Sequence, residues 1–431
     1  MTRERIYTTY KNIKSNKILL KGSLFSIYSF INRGFSFILL LILAKYIAPA
    51  EYGYLNLFST VVMVLGYFMA LSSEGYMNVA FFSEGTSGIK NSFSCVLVIS
   101  LLMSLFLSSV ILIAGETFAE ALDLQESMLL CAVAISFFAI FNQLLLDFFR
   151  IHEEVITYGW ISCGAALLNF VFSILLVKEF ELSWQGRVYA WLGCNVLFGL
   201  MGLWYFVKSG YFTTNIRSYF KPMLIWSIPL IPHLATGFIR QGCDRYIINY
   251  YHTIDDVGLF SFALNLVGII TMIGFGFNQT NSVDIYKVLG DKSMQVKDKL
   301  VHLRKNRKIF LTLYLVATLL IDIFGYLLVP IVLPKYAFAV NYFVVLSIYG
   351  FFVCVYLVYT NYLFYFKKTN LLMHVTIISA LIHLLLSFYL TQYSLYITAL
   401  LYGVTQAATA IIIGYLSMRE LKMQSLKYAK V

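Results

Sequence analysis

Hydrophobic residues fall along this chain in long runs, and polar residues gather between them. Twelve runs can be marked, at about 23–47, 54–76, 91–115, 127–150, 157–178, 184–207, 223–250, 257–281, 308–333, 338–366, 370–390 and 394–418. Each is long enough to cross a bilayer as a helix, which takes about 20 apolar residues. A helix also satisfies its own backbone hydrogen bonds where no water is present. The pattern predicts an all-α integral membrane protein with twelve transmembrane helices.

The polar segments are short, with one exception. Residues 284–308, DIYKVLGDKSMQVKDKLVHLRKNRK, make the longest and most basic of them. Val296, Leu300 and Leu303 recur there at helical spacing, with Lys297, Lys299 and Arg304 between. That is the pattern of an amphipathic helix lying on an anionic leaflet. Residues 1–22 form a basic tail, with a short surface helix expected around Ile13 to Leu20.

Composition agrees. Hydrophobic residues are 60%, charged residues 12% and mean hydropathy +0.78, where soluble domains carry roughly 25% charge. The net charge of +11 is not a nucleic-acid signature, because it sits between the runs. With the N-terminus inside, inner segments hold 25 of the 32 Lys and Arg and outer segments hold four, Lys45, Lys178, Arg187 and Lys335. This bias sets the orientation, with both termini cytoplasmic. The six cysteines lie within hydrophobic spans and the six histidines are scattered, so no disulfide framework, metal site or cofactor is expected. The first run has full membrane length and is expected to stay as a helix.

The sequence also echoes itself. Glu51-Tyr52-Gly53-Tyr54 matches Asp256-Val257-Gly258-Leu259, each just after a span. Arg33 lies 20 residues before Gly53, and Arg240 lies 18 before Gly258. With six spans on either side, this is the parallel-repeat plan of many secondary transporters, whose substrate site lies between the halves. The expected organisation is a cytoplasmic tail 1–22, a six-helix lobe 23–207, a linker 208–222, a second six-helix lobe 223–418 and a cytoplasmic tail 419–431.

One stretch carries a resemblance. Ser227, Pro229, Leu230, Pro232, Asp244, Arg245, Asp256, Val257, Gly258, Leu259 and Phe260 resemble the seventh-helix signature of the bacterial O-antigen and polysaccharide repeat-unit flippases, with Phe260 in place of the more usual Tyr. Residues 43–58, LAKYIAPAEYGYLNLF, look like that family's first-helix exit, with Lys45 where Arg is common. The resemblance implies two six-helix lobes in a V around a central cavity, as in the related lipid II flippases and multidrug and toxin extruders. It implies transfer of an undecaprenyl-diphosphate-linked oligosaccharide from the inner to the outer leaflet of the bacterial inner membrane. A polysaccharide polymerase and a chain-length regulator would be the partners, besides membrane lipid.

Ionisable residues inside spans are the functional candidates. A diphosphate needs buried cations, and Arg offers a planar fork of donors. Arg33, beside Asn32, is the first candidate for substrate binding; its alternative role is a structural pair with an acid. Arg240, beside Gln241, is the second, and Asp244 one turn on could neutralise it. Asp244 and Arg245 read as a structural pair at the outer end. Ion coupling would need an intramembrane acid, and Asp322, Asp147 and Glu74 are the candidates, the last two also reading as interfacial acids. His374 and His383 are either proton sites or core hydrogen-bonding groups. A multidrug extruder of the same fold remains an alternative, as does a membrane-embedded polymerase or glycosyltransferase. The arginines favour an anionic substrate over a cationic drug, and the short outer loops hold no acid–base pair for an enzyme.

Overall fold

The computed structural model describes residues 17–228, 230–231, 237–239, 242–291, 293–366 and 368–428. Among these, every regular element is helical. In chain order they are α1 (Lys17–Tyr46), α2 (Pro49–Met69), α3 (Tyr76–Glu84), α4 (Thr86–Leu122), α5 (Glu126–Ile151), α6 (Val155–Ile174, continued by a π turn Leu175–Glu179), α7 (Ser183–Lys208), α8 (Arg217–Ser227), α9 (Cys243–Tyr251), α10 (Ile254–Gly290), α11 (Val296–Val332), α12 (Ala339–Tyr365), α13 (Thr369–Leu390) and α14 (Leu395–Tyr428).

Ten helices among the described residues are long and apolar enough to cross a membrane. They fall on ten of the twelve runs read from the sequence. The first run is α1, of 30 residues. The seventh lies on α8 and α9, and Pro229, Pro232, Arg240 and Gln241 within it are outside the described residues. The distribution of side chains fits a lipid solvent. Leu102, Leu105, Phe106 and Ile113 of α4 and Ile323, Phe324, Leu327 and Ile331 of α11 are exposed, while Ser73, Ser92, Ser100, Ser173, Thr391 and Thr398 are buried. The chain is a multi-pass membrane protein with an all-α architecture.

Two local features differ from the sequence reading. The second run ends at Met69, because Leu71 and Ser72 take left-handed backbone (φ 49° and 55°) and Ser73 Oγ turns back to the Ala70 carbonyl at 2.6 Å. The short helix α3 then follows. The basic segment 284–308 is not a surface loop: α10 continues to Gly290 and α11 begins at Val296. Lys, Gln and Leu favour helix over most of this segment, and the chain breaks only after Gly290. There Asp291 Oδ1 accepts from Ser293 N at 2.8 Å and Ser293 Oγ at 2.6 Å. At ~1.5 Å per residue, 37-residue helices reach about 55 Å. They therefore outrun the hydrocarbon core of about 30 Å.

The chain divides into two compact units, Met1–Ile47 with Leu57–Ala235, and Ala48–Asn56 with Thr236–Val431. In the first unit α5 packs on α7 and α4, and α1 on α6. Its core holds Phe93 stacked on Phe206 at 4.5 Å, with Phe141 edge-on to Phe93 at 6.3 Å. In the second unit α12 is central, against α10, α11 and α14. Ile270, Tyr314, Cys354 and Val358 make one buried cluster there, and Ile285, Leu303, Tyr362 and Leu421 another.

The sequence echo has a structural counterpart at a constant offset of 205 residues. Helix α1 ends at Tyr46 and α9 at Tyr251. Ala48 N donates to Glu51 Oε2 at 2.7 Å, and Thr253 N donates to Asp256 Oδ2 at 3.2 Å. Each acid sits three residues into its helix and satisfies an otherwise orphaned amide. At Asp256 the capping box is complete, since Thr253 Oγ1 accepts from Asp256 N. The paired glycines meet at one crossing within the second unit. A Cβ on Gly53 would stand 2.4 Å from the Ile254 carbonyl oxygen, and one on Gly258 would stand 1.7 Å from that of Pro49. Pro49 precedes Gly53 by four residues, as Ile254 precedes Gly258, so the contact is reciprocal. Only glycine lets the two backbones approach this closely.

Candidate functional site

Three helices of the second unit bring polar groups together in an apolar setting. Asp244 stands in the first turn of α9, His383 and Ser387 on α13, and Thr398 and Thr405 on α14. His383, Ser387 and Thr391 are four residues apart in succession, so α13 presents them on one face. Asp244 is 1% exposed and His383 3%.

His383 Nε2 lies 2.8 Å from Asp244 Oδ2, and Ser387 Oγ donates to Asp244 Oδ1. Thr391 Oγ1 is 3.3 Å from Ser387 Oγ and accepts from Thr398 Oγ1 at 3.0 Å. His252 Nε2 donates to the Thr391 carbonyl oxygen at 2.6 Å. Tyr402 covers the imidazole edge-on, 4.8 Å between ring centres.

A hydrogen count decides what this centre can do. The Thr405 hydroxyl donates to the Leu401 carbonyl at 2.8 Å, so towards His383 it accepts, from Nδ1–H at 3.1 Å. With Nδ1 protonated, Nε2 faces a carboxylate oxygen across a link that holds only if it too carries a proton. The pair is either imidazolium and carboxylate or imidazole and carboxylic acid, and both contain the same single shared proton. The link therefore ties α9 to α13 through the Asp244 carboxyl, with His383 and Ser387 on its two oxygens.

Arg245, next to Asp244 on α9, takes another direction: its Nη1 donates to the Asn56 carbonyl oxygen at 3.2 Å. The two neighbours are thus each engaged with groups from other elements. Asp322 on α11 accepts from Ser347 Oγ at 2.9 Å, while its Oδ1 is buried without a hydrogen-bond partner among the described residues. It is not part of the Asp244 cluster. His374 is exposed on α13, and its Nδ1 meets the Asn370 carbonyl at 2.6 Å.

The remaining candidates belong to the first unit. Asn32 Nδ2 donates to Ser162 Oγ, tying α1 to α6, and Arg33 beside it is exposed. Asp147, 4% exposed, accepts from Gln143 Nε2 at 3.1 Å and Asn78 Nδ2 at 3.4 Å and pairs with Arg150 at 2.7 Å. Glu74 lies in the turn after α2, within electrostatic range of Asp147. Arg240 and Gln241 lie outside the described residues. Arg187, counted from sequence as an outer-loop cation, is instead drawn between helices: its Nη1 donates to Asn169 Oδ1 at 2.7 Å and Ser173 Oγ at 3.3 Å, with Trp191 5.4 Å beneath the guanidinium.

Sequence reasoning paired Asp244 with its chain neighbours and missed His383 as its partner, 139 residues away. The His383–Ser387–Thr391 spacing in an apolar run was the available signal, since polar groups on one face of a membrane helix need partners on another element.

No protein-family model matches the chain. Two Haemophilus influenzae proteins are similar to it in sequence. A protein of the Lsg locus is 24% identical over 80% of this chain and 84% of its own length. A membrane protein is 22% identical over 86% and 88%. Among solved structures, an inward-facing multidrug resistance MATE family transporter of the MOP superfamily superposes with a TM-score of 0.72 at 12% identity, over 92% of this chain and 94% of the other. An outward-facing MATE transporter of that superfamily gives 0.63, also at 12% identity, over 93% and 95%. At this identity the likeness is one of fold, and the fold is MATE-like.

Proposed function

We propose that this chain is a transporter of the bacterial inner membrane that moves an undecaprenyl-diphosphate-linked oligosaccharide from the inner to the outer leaflet by alternating access, coupled to proton movement at Asp244 and His383. The observation that carries the coupling is the 2.8 Å contact between His383 Nε2 and Asp244 Oδ2, two side chains that are almost completely buried. Proton gain closes α9 on α13 and proton loss opens it, so the centre converts a proton gradient into a change of helix packing. A ligand shifts a conformational equilibrium only through differential affinity for the two states, and a proton bound at this link has that property.

The MATE-like fold supports transport as the activity. The substrate class rests on the sequence signature from Ser227 to Phe260 and on the arginines, Arg33 and Arg240, at the heads of the two halves. Arg33, Asn32, Arg240 and Gln241 are the residues proposed to receive the diphosphate. The likeness to multidrug resistance transporters favours a second reading, export of organic cations on the same scaffold.

Proteoliposomes holding a fluorescent lipid-diphosphate oligosaccharide separate the two. The flippase reading expects outer-leaflet delivery that rises with an imposed proton gradient and falls at least tenfold in Asp244→Asn and His383→Ala. Uptake of organic cations without delivery of the lipid-linked sugar would replace the substrate assignment. Delivery at wild-type rate and gradient dependence in both variants would remove the coupling site.

A further inference from the structure

We infer that a cleft between α10 and α11 is a binding site for an anionic phospholipid of the inner leaflet, seated with its phosphate at Lys308. The inference is independent of the transported substrate. The cleft has a volume of about 730 Å³ and is lined by Ile273 and Phe277 of α10 and by Ile309, Leu313, Ala317 and Leu320 of α11, with Lys308 the one charged group in its wall. That size falls in the range of ligand clefts, about 300–1,000 Å³.

Its direction and polarity match a lipid. Lys308 is the last charged residue of α11 before the uncharged, mostly apolar stretch 309–321. From Lys308 to Leu320 the helix rises about 18 Å. That is close to one leaflet of hydrocarbon, about 15 Å. The cleft thus starts at the inner interface and runs outward along one leaflet. Ile309, Val316 and Leu320 are about half exposed, so the wall faces the membrane.

Charge selects the headgroup. Arg304 and Lys305 lie four and three residues before Lys308, on the same face, and all three are exposed. None forms an ion pair among the described residues, whereas Lys368 nearby in sequence to α13 and Arg150 on α5 both do. Three adjacent cations above an apolar cleft complement a phosphate above an acyl chain. A cation at the anionic surface contributes about a fivefold gain in affinity.

Native mass spectrometry of delipidated full-length protein, titrated with phosphatidylglycerol or with phosphatidylcholine of the same chains, tests this. Phosphatidylglycerol is expected to half-saturate at a concentration at least fivefold lower. Lys308→Ala should weaken it about fivefold, Arg304→Ala with Lys308→Ala further, and Lys308→Arg should restore it. Ala317→Trp should fill the cleft and weaken both lipids, with a single monodisperse species by size exclusion as the folding check. Equal affinity for the two lipids, or a phosphatidylglycerol preference that survives the double substitution, would overturn the site. So would displacement by equimolar undecaprenyl diphosphate, which would give the cleft to the substrate instead.

Discussion

Replacing Gly258 by alanine tests the reciprocal crossing of α2 and α10. The new Cβ would lie 1.7 Å from the Pro49 carbonyl oxygen and 2.6 Å from its carbon, where such contacts essentially never fall under 3.0 Å. One helix must retreat by about 1.3 Å, and the obstructing atoms are backbone, with no rotamer to turn aside. Overpacking of this kind costs about 1–3 kcal/mol, and backbone on both sides places it at the upper end. Alanine returns at most about 1 kcal/mol through helix propensity. The net loss is about 2 kcal/mol, a fall in midpoint of about 4–8 °C for a unit of this size. Gly53→Ala meets the Ile254 oxygen at 2.4 Å and should cost less, while Gly268→Ala, with nothing within 4 Å, should be neutral or slightly stabilising. The double Gly53→Ala, Gly258→Ala variant should lose less than the sum, because one retreat relieves both clashes. Thermal unfolding in detergent can be followed with a thiol-reactive fluorophore on the buried free Cys354 of the second unit. A midpoint for Gly258→Ala equal to wild type, or Gly268→Ala as damaging as Gly258→Ala, would refute the close crossing.

Three further outcomes are expected. His383→Ala leaves the buried Asp244 carboxyl with Ser387 as its remaining side-chain donor from α13 and should destabilise by about 3–5 kcal/mol; Asp244→Asn in that background should recover part of it, and a double-mutant cycle with no coupling would refute the pair. Thr253→Ala removes the capping box of α10 and should cost about 1 kcal/mol, checked by the same melt, with Thr253→Ser unchanged. Hydrogen bonds from Ser293 hold Asp291, in the α10–α11 turn, below the usual carboxylate range. Because the folded value is the lower one, the turn's stabilisation is present above about pH 4 and is lost as pH falls through the folded value. The protection factor of the Ser293 amide, its exchange relative to the intrinsic rate at each pH, should therefore be high at neutral pH and fall in acid, whereas protection independent of Asp291→Asn would discard the assignment.

The sequence alone determined the spans, because hydrocarbon imposes one requirement on every segment that crosses it: about 20 apolar residues in a self-satisfied helix. The acid-and-glycine echo at Glu51 to Gly53 and Asp256 to Gly258 was legible for the same local reason, since a helix start needs its amides satisfied whatever it packs against. The sequence could not show that Gly53 and Gly258 serve each other's backbones, because that depends on a crossing between segments 205 residues apart. Nor could it partner Asp244. Reading along the chain offered Arg240 and Arg245, one turn before and one residue after. Tertiary packing brought His383 and Ser387 from α13 to the Asp244 carboxyl, while Arg240 lies outside the described residues. Charges buried in a membrane protein choose partners by proximity in three dimensions, and a helix face reveals which of its residues need a partner without revealing which one they will meet.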